Sequence, residues 1–151
     1  MATIYLDTSA VAKIYLNEAG SSSIREYVDA SGEGNFLVLF ALTEIEFRSL
    51  IRRKERAGGL DPETGNELIR RFEAHARSNY FTQPITNDIL DHALHLLDRH
   101  PLKAFDALQL AGGLDLRRSS PREKIVFASA DTRLLAAANA EGLQTFNPLE
   151  P

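Results

Sequence analysis

Thr3-Ile4-Tyr5-Leu6-Asp7-Thr8-Ser9-Ala10 passes without a break from strand-forming residues to helix-capping ones. The apolar run suits a strand, and Asp7, Thr8 and Ser9 carry oxygens that can accept from the free N–H groups of a helix start. A helix to about Leu16 follows, then an amphipathic one from Ser21–Ser23 to roughly Ala30. Ser31-Gly32-Glu33-Gly34-Asn35 reads as loop. Phe36–Phe40 is an unbroken apolar run, the mark of a strand covered on both faces.

The alternation continues to the C-terminus. Thr43 opens a helix that fades into Arg52-Arg53-Lys54-Glu55-Arg56 and stops at Gly58-Gly59. Pro62 sits at the first position of the next helix, which reaches about Ser78. Tyr80–Ile85 reads as a strand interrupted late by Pro84, and Thr86 caps a helix to about His100. A helix over Leu102–Leu116, a strand over Lys124–Ala128, a helix over Asp131–Ala140 and a strand over Leu143–Phe146 complete the chain. This order predicts a three-layer α/β/α fold around a central parallel sheet of about five strands, with residues 1–151 as one domain.

Composition narrows the function. The 151 residues, 44% hydrophobic, are enough for one substantial core. A formal charge of −4 provides no bulk attraction to nucleic acid or anionic lipid, so a polyanionic partner needs local basic patches or bound cations. Without cysteine there is no disulfide, thiolate metal site or cysteine nucleophile. The longest apolar stretch, Phe36 to Leu42, is too short to span a bilayer, and no signal peptide opens the chain. A cytoplasmic protein without membrane attachment is expected.

Four acids stand where apolar or capping residues are otherwise expected. Asp7 ends the first strand, at the sheet edge where open α/β folds bind ligands, and it equally suits a helix cap. Asp131 carries the same two readings after the strand Ile125–Ala128. Glu46 shares a helix face with Leu42 and Leu50, although Thr43-Glu44-Ile45-Glu46 also matches a capping box. Glu44 stands four residues before Arg48, the spacing of a solvent-facing ion pair. Asp106 lies inside the expected helix, aligned with Leu102 and Leu110, where Asp is a poor helix former. A buried carboxylate there needs a partner, and Lys103 is the one local base. A bound cation would meet the same need. Oxygen ligands in this number suit Mg²⁺ or Mn²⁺. The histidines show no H-E-x-x-H spacing, and His92, His95 and His100 fit solvated or core-edge roles.

Tyr5-Leu6-Asp7-Thr8-Ser9-Ala10, Glu46-Phe47-Arg48-Ser49-Leu50, Ala104 through Ala111 and Ala128-Ser129-Ala130-Asp131 follow in the order and spacing of a PIN domain. In detail the chain resembles the VapC-type toxins of prokaryotic toxin–antitoxin pairs, over essentially its whole length to the Gly142…Asn147-Pro148 tail. The resemblance implies a metal-dependent endoribonuclease, the toxin of a type II pair. Its core acids would be Asp7, Glu46 and Asp106, with Asp131 fourth and Ser9 supporting Asp7. Glu44 remains the alternative second acid. A homodimer and a cognate antitoxin whose C-terminal segment covers the acids are also implied.

Hydrolysis of RNA by water at such a site would leave a 5′-phosphate and a free 3′-hydroxyl. Arg48, Arg52, Arg53, Lys54 and Arg56 form the densest run of counter-charge for the RNA backbone. Arg117, Arg118, Arg122 and Lys124 form a second group, and Lys13 follows Asp7 by one and a half turns. Aspartyl-phosphate phosphatases want an Asp two residues after the first, where this chain has Ser9. A receiver domain wants a Lys after its late strand, and Lys124 precedes it. The rival from another class is a non-catalytic PIN-like module that binds RNA or protein, which typically lacks one or more of the acids.

Overall fold

In the computed structural model, which describes residues 2–30 and 35–151, the strands are β1 (Thr3–Leu6), β2 (Phe36–Phe40), β3 (Phe81–Gln83), β4 (Ile125–Ala128) and β5 (Gln144–Phe146). They form one parallel sheet in the order β3-β2-β1-β4-β5. The expected five-stranded parallel sheet is therefore present, with β1 at its centre. The expected loop at 31–35 falls mostly on residues outside those described. The third strand is shorter than the Tyr80–Ile85 expected. Pro84 has no N–H for a ladder bond, and the Tyr80 hydroxyl instead meets that of Tyr15.

Seven helices cover the sheet among the described residues: α1 (Thr8–Tyr15), α2 (Ser21–Asp29), α3 (Thr43–Arg56), α4 (Pro62–Ser78), α5 (Asn87–Arg99), α6 (Ala104–Ser119) and α7 (Thr132–Ala140). The two-residue period of the strands sorts them into layers. Ile4, Leu6 and Leu39 pack with α1 through α4, whereas Tyr5, Val38, Phe40 and Phe127 pack with α5 through α7. Tyr5 and Phe127 stack at 5.3 Å between ring centres in the second layer.

Two close approaches set the position of α6. A methyl group on Gly112 would collide with the Tyr5 hydroxyl and the Phe40 ring, and one on Gly113 would meet the Phe127 ring. The paired glycines let the α6 backbone lie directly on β1 and β4. The first turn of α6 is thereby carried over the carboxyl edge of the sheet.

α6 also begins later than the sequence implies. Leu102 and Lys103 lie outside the helix, with Lys103 extended as the N-cap, and the helix starts at Ala104. Asp106 is consequently in the first turn and not in the helix interior. There the exposed N–H groups and the helix dipole favour a carboxylate, so its poor interior propensity does not apply.

Candidate functional site

The chain changes direction across the sheet at β1: β2 lies on one side, β4 on the other. Asp7 stands at the carboxyl end of β1 and Asp131 follows β4 across this switch, the usual ligand position in open α/β sheets. α3, from one layer, contributes Glu46, and α6, from the other, contributes Asp106. All four line one cavity of about 180 Å³ together with Ser9 and Gln109.

Asp7 is almost wholly buried. Its Oδ1 accepts from the Ala10 backbone N–H at 2.9 Å, capping α1, and from the Ser9 hydroxyl at 2.7 Å. Its Oδ2 accepts from the Ser129 hydroxyl at 2.7 Å. Each serine in turn accepts a backbone N–H of the loop after β4: Ala130 on Ser9 and Asp131 on Ser129. The loops after β1 and β4 are thus laced together around one carboxylate. Burial raises the Asp7 pKa from 3.8 to about 6, the nearby charge of Asp106 adds to the rise, and the Ser129, Ala10 and Ser9 hydrogen bonds oppose it.

Asp131 caps a helix, as one of its two readings had it, and also stands on the cavity wall. Its Oδ1 caps α7 by accepting from Arg133 N–H at 2.9 Å and Leu134 N–H at 3.1 Å, while the residue still lines the cavity. Burial raises the Asp106 pKa, followed by the negative charges of Asp131 and Glu46, with Lys103 opposing. The four acids therefore repel one another across one cavity. No ion pair among the described residues uses any of them.

The capping box at α3 does not form. Leu42 is the N-cap, without a side-chain bond, and Thr43 is a buried helical residue. Glu46 instead turns into the cavity, where its Oε1 accepts from the Thr8 hydroxyl at 2.9 Å and from Gln109 Nε2 at 3.0 Å. Glu44 is exposed and lines a different groove, beside Arg48. The expected Glu44–Arg48 ion pair is absent because Arg48 reaches across to Glu73 on α4.

Gln109 and Ser129 carry much of this geometry without standing out in the sequence as functional. Gln109 is buried, and its Nε2 lies within hydrogen-bond reach of Glu46, Thr8 and Thr43 while its Oε1 accepts from the Tyr5 hydroxyl at 3.3 Å. One signal was available: a glutamine among apolar residues, three places after Asp106 and hence on the same helical face. Gln109→Met keeps the shape and leaves Glu46 without its amide donor. Urea denaturation of this variant is expected to show a loss of about 1–3 kcal/mol.

The expected basic residues are dispersed. Lys13 pairs with Glu18 at 3.2 Å and does not line the cavity. Arg52 is held by Glu55 and Asn66. Arg53 alone of the run on α3 lines the cleft adjoining the acids, next to Glu46. Arg117 and Arg118 end α6, roughly 16 Å along the helix from Asp106, with Arg118 tied to Asp115. Lys124 sits at the opposite edge of the sheet, where its carbonyl accepts from Thr3 N–H. That second group therefore does not serve the cavity. Lys103 and Arg133 flank Asp106 and Asp131 instead.

All-oxygen donors and uncompensated negative charge fit a hard divalent cation. Among the described residues, no three such side chains already surround one point as a finished metal centre. The acids line the cavity with Asp7 and Glu46 held by hydroxyl and amide donors. None of the histidines joins them: His75 bonds the Tyr15 hydroxyl, His100 meets Glu141, and His92 and His95 line a groove between α5 and α6.

A parallel α/β sheet with an unneutralised carboxylate cavity at its switch point defines a class of proteins suited to hard cations. Within that class the chain belongs to the PIN domain family, whose sequence profile matches residues 4–140. It is 25% identical over 146 residues to the protein named ribonuclease VapC47 of Mycobacterium tuberculosis (strain CDC 1551 / Oshkosh), covering 96% of each chain. Its fold is similar to that of FitAcB from Neisseria gonorrhoeae (TM-score 0.68, 18% identity, 98% of this chain and 99% of the other). It is also similar to Mycobacterium tuberculosis VapC20, described as a sarcin-ricin loop cleaving toxin (TM-score 0.65, 17% identity, 89% and 94% covered).

Proposed function

We propose that residues 1–151 form one PIN domain acting as a metal-dependent endoribonuclease, the toxin of a type II toxin–antitoxin pair in the cytoplasm. The observation that carries this reading is the cavity in which Asp7, Glu46, Asp106 and Asp131 converge without any basic partner among the described residues. A relative named as a ribonuclease and a structural neighbour described as a sarcin-ricin loop cleaving toxin support it. No helix among the described residues is long and apolar enough to cross a membrane.

Asp7 and Asp106 would be the principal ligands for a hard divalent cation. A bound Mg²⁺ or Mn²⁺ supplies the positive charge that lets phosphate enter and lowers the pKa of the attacking water. Glu46, with Oε1 fixed by Thr8 and Gln109, would bind the cation or orient the attacking water through its other oxygen. Asp131 keeps one oxygen on α7 and offers the second to the cavity. Water adds to phosphorus as the bond to the ribose 3′-oxygen breaks, leaving a 5′-phosphate and a 3′-hydroxyl. The partners of this reading are an RNA substrate, a second copy of the chain, and an antitoxin whose C-terminal segment covers the acids.

Purified protein is expected to cut a generic single-stranded RNA in Mn²⁺ or Mg²⁺ and to stop in EDTA, with 5′-phosphate ends detectable by ligation. Protein that stays inert with either ion, yet binds the same RNA equally well in EDTA, belongs to the non-catalytic binding class instead.

A further inference from the structure

A chain of buried polar groups runs from the middle of the sheet to the acids. It begins at Tyr5 on β1, which is wholly buried and whose ring stacks on Phe127. The Tyr5 hydroxyl lies where a side chain on Gly112 would stand, so it reaches the underside of α6. Its one hydrogen-bond partner among the described residues is Gln109 Oε1, at 3.3 Å. Gln109 is 2% exposed, and its Nε2 lies 3.0 Å from Glu46 Oε1, 3.1 Å from Thr43 Oγ1 and 3.2 Å from Thr8 Oγ1.

The two ends of the chain fix the direction of the amide between them. An ionised carboxylate only accepts, so Gln109 turns its NH₂ to Glu46, and its carbonyl then takes the Tyr5 proton. The reverse orientation would set a carbonyl oxygen against a carboxylate oxygen. Gln109 Nε2 and the Thr8 hydroxyl both donate to the same atom, Glu46 Oε1. Glu46 Oε2 takes no hydrogen bond among the described residues.

Asp131 is restrained in a similar way, since its Oδ1 is given to α7. A carboxylate with one oxygen committed meets a cation through the other, in a fixed place. Such a site suits Mg²⁺, which demands near-ideal octahedral geometry and short bonds. Ca²⁺ takes roughly six to eight oxygens at longer distances, often both from one carboxylate, and tolerates irregular arrangements. We infer that Tyr5 and Gln109 are positioning residues that select the cation: by holding Glu46 Oε1 they leave one oxygen to offer, which favours a small ion over Ca²⁺. The inference rests on the metal-binding part of the reading above and goes beyond it to what chooses the ion.

The test uses the full chain without RNA and follows its melting temperature across titrations of Mg²⁺ and of Ca²⁺, which gives an affinity for each. Wild type is expected to prefer Mg²⁺. Gln109→Met leaves Oε1 with Thr8 alone. Its Mg²⁺ affinity is expected to fall about 10–100-fold, with Ca²⁺ affinity held within about threefold. Tyr5→Phe deletes a single hydroxyl and keeps the test open where Gln109→Met does not fold. It is expected to move the ratio of Mg²⁺ to Ca²⁺ affinity in the same direction by about 3–10-fold. Because Tyr5 acts through Gln109, the double variant is expected to match Gln109→Met.

Variants that melt lower in EDTA but keep the wild-type affinity ratio show Tyr5 and Gln109 to be packing residues only, and overturn the proposal. Additive shifts in the double variant also overturn it, because Tyr5 then acts by another route. RNA cleavage by the wild type is read separately. A chain that never cuts, yet loses its Mg²⁺ preference in these variants, sinks the nuclease reading and leaves the selection standing. Mg²⁺-dependent cutting with an unchanged ratio in both variants does the reverse.

Discussion

Asp7→Asn or Asp106→Asn is expected to lower the proposed metal-dependent RNA cleavage by about 10²–10⁴-fold, the equivalent of several kcal/mol of transition-state stabilisation. Each change removes a negative charge from a cavity whose acids form no ion pair among the described residues, so weaker retention of the proposed cation is its first expected consequence. The hydrogen bonds of Asp7 survive in the amide. Its oxygen still accepts from Ala10 N–H and Ser9, and the Ser129 hydroxyl turns to accept from the new NH₂, with the Ser9 oxygen 3.4 Å away as its own acceptor. Asp131→Asn is expected to lose less activity, since one of its oxygens is already committed to α7. Initial rates on one RNA across a Mn²⁺ titration check the set. Retention of activity within tenfold in both Asp7→Asn and Asp106→Asn removes these residues from the centre of the chemistry.

The same substitution at Asp7 stabilises the metal-free protein at neutral pH. In the folded chain this carboxyl keeps its proton up to about pH 6, because burial penalises the ion, whereas an ordinary aspartate releases it near 3.8. Between those values the native state binds more protons than the unfolded state, so stability falls as pH rises through the window and the full penalty applies above it. At ~1.4 kcal/mol per pH unit, the interval from 3.8 to about 6 is worth about 3 kcal/mol. Asp106, also raised, acts in the same direction.

In EDTA, wild-type protein is therefore expected to melt higher at pH 5 than at pH 7.5. Asp7→Asn should flatten that difference and melt about 6–12 °C above wild type at pH 7.5. Mn²⁺ should raise the wild-type melting temperature, as any native-state ligand does, and leave Asp7→Asn nearly unmoved. A variant that melts below wild type at pH 7.5 in EDTA shows that the Asp7 charge is not a burden on the fold.

The layers of the fold were readable because they rest on local periodicity. Phe36–Phe40 forms the strand its apolar run implies, although only Val38–Phe40 is covered on both faces and Phe36, at the strand start, is 51% exposed, and Asp7 and Asp131 each follow a strand and open a helix. Errors arose where one local pattern had two uses. Thr43 and Glu46 have the spacing of a capping box, but Thr43 is buried against Gln109, which leaves Glu46 free to face the cavity. Leu102 and Lys103 favour helix by propensity, which places the expected start of the Asp106 helix two residues early; Lys103 is instead extended at the N-cap, where its carbonyl accepts from Ala107 N–H.

Spacing also misled for the basic residues, since a run of arginines along a helix points in several directions. Arg48, Arg52 and Arg53 end on Glu73, on Glu55 with Asn66, and at the mouth of the acidic cleft respectively.

By itself the chain determined which segments become strands and helices, the absence of thiol chemistry, and which acids stand at strand ends or on apolar helix faces. Tertiary structure alone decided that four of those acids meet, that Glu46 and not Glu44 faces them, that Ser129 joins Ser9 on Asp7, and that Gln109 holds Glu46. Periodicity acts between neighbours a few residues apart. Hydrogen bonds and charge repulsion act through space, so contacts such as Ser129 with Asp7 exist only once the sheet sets β1 beside β4.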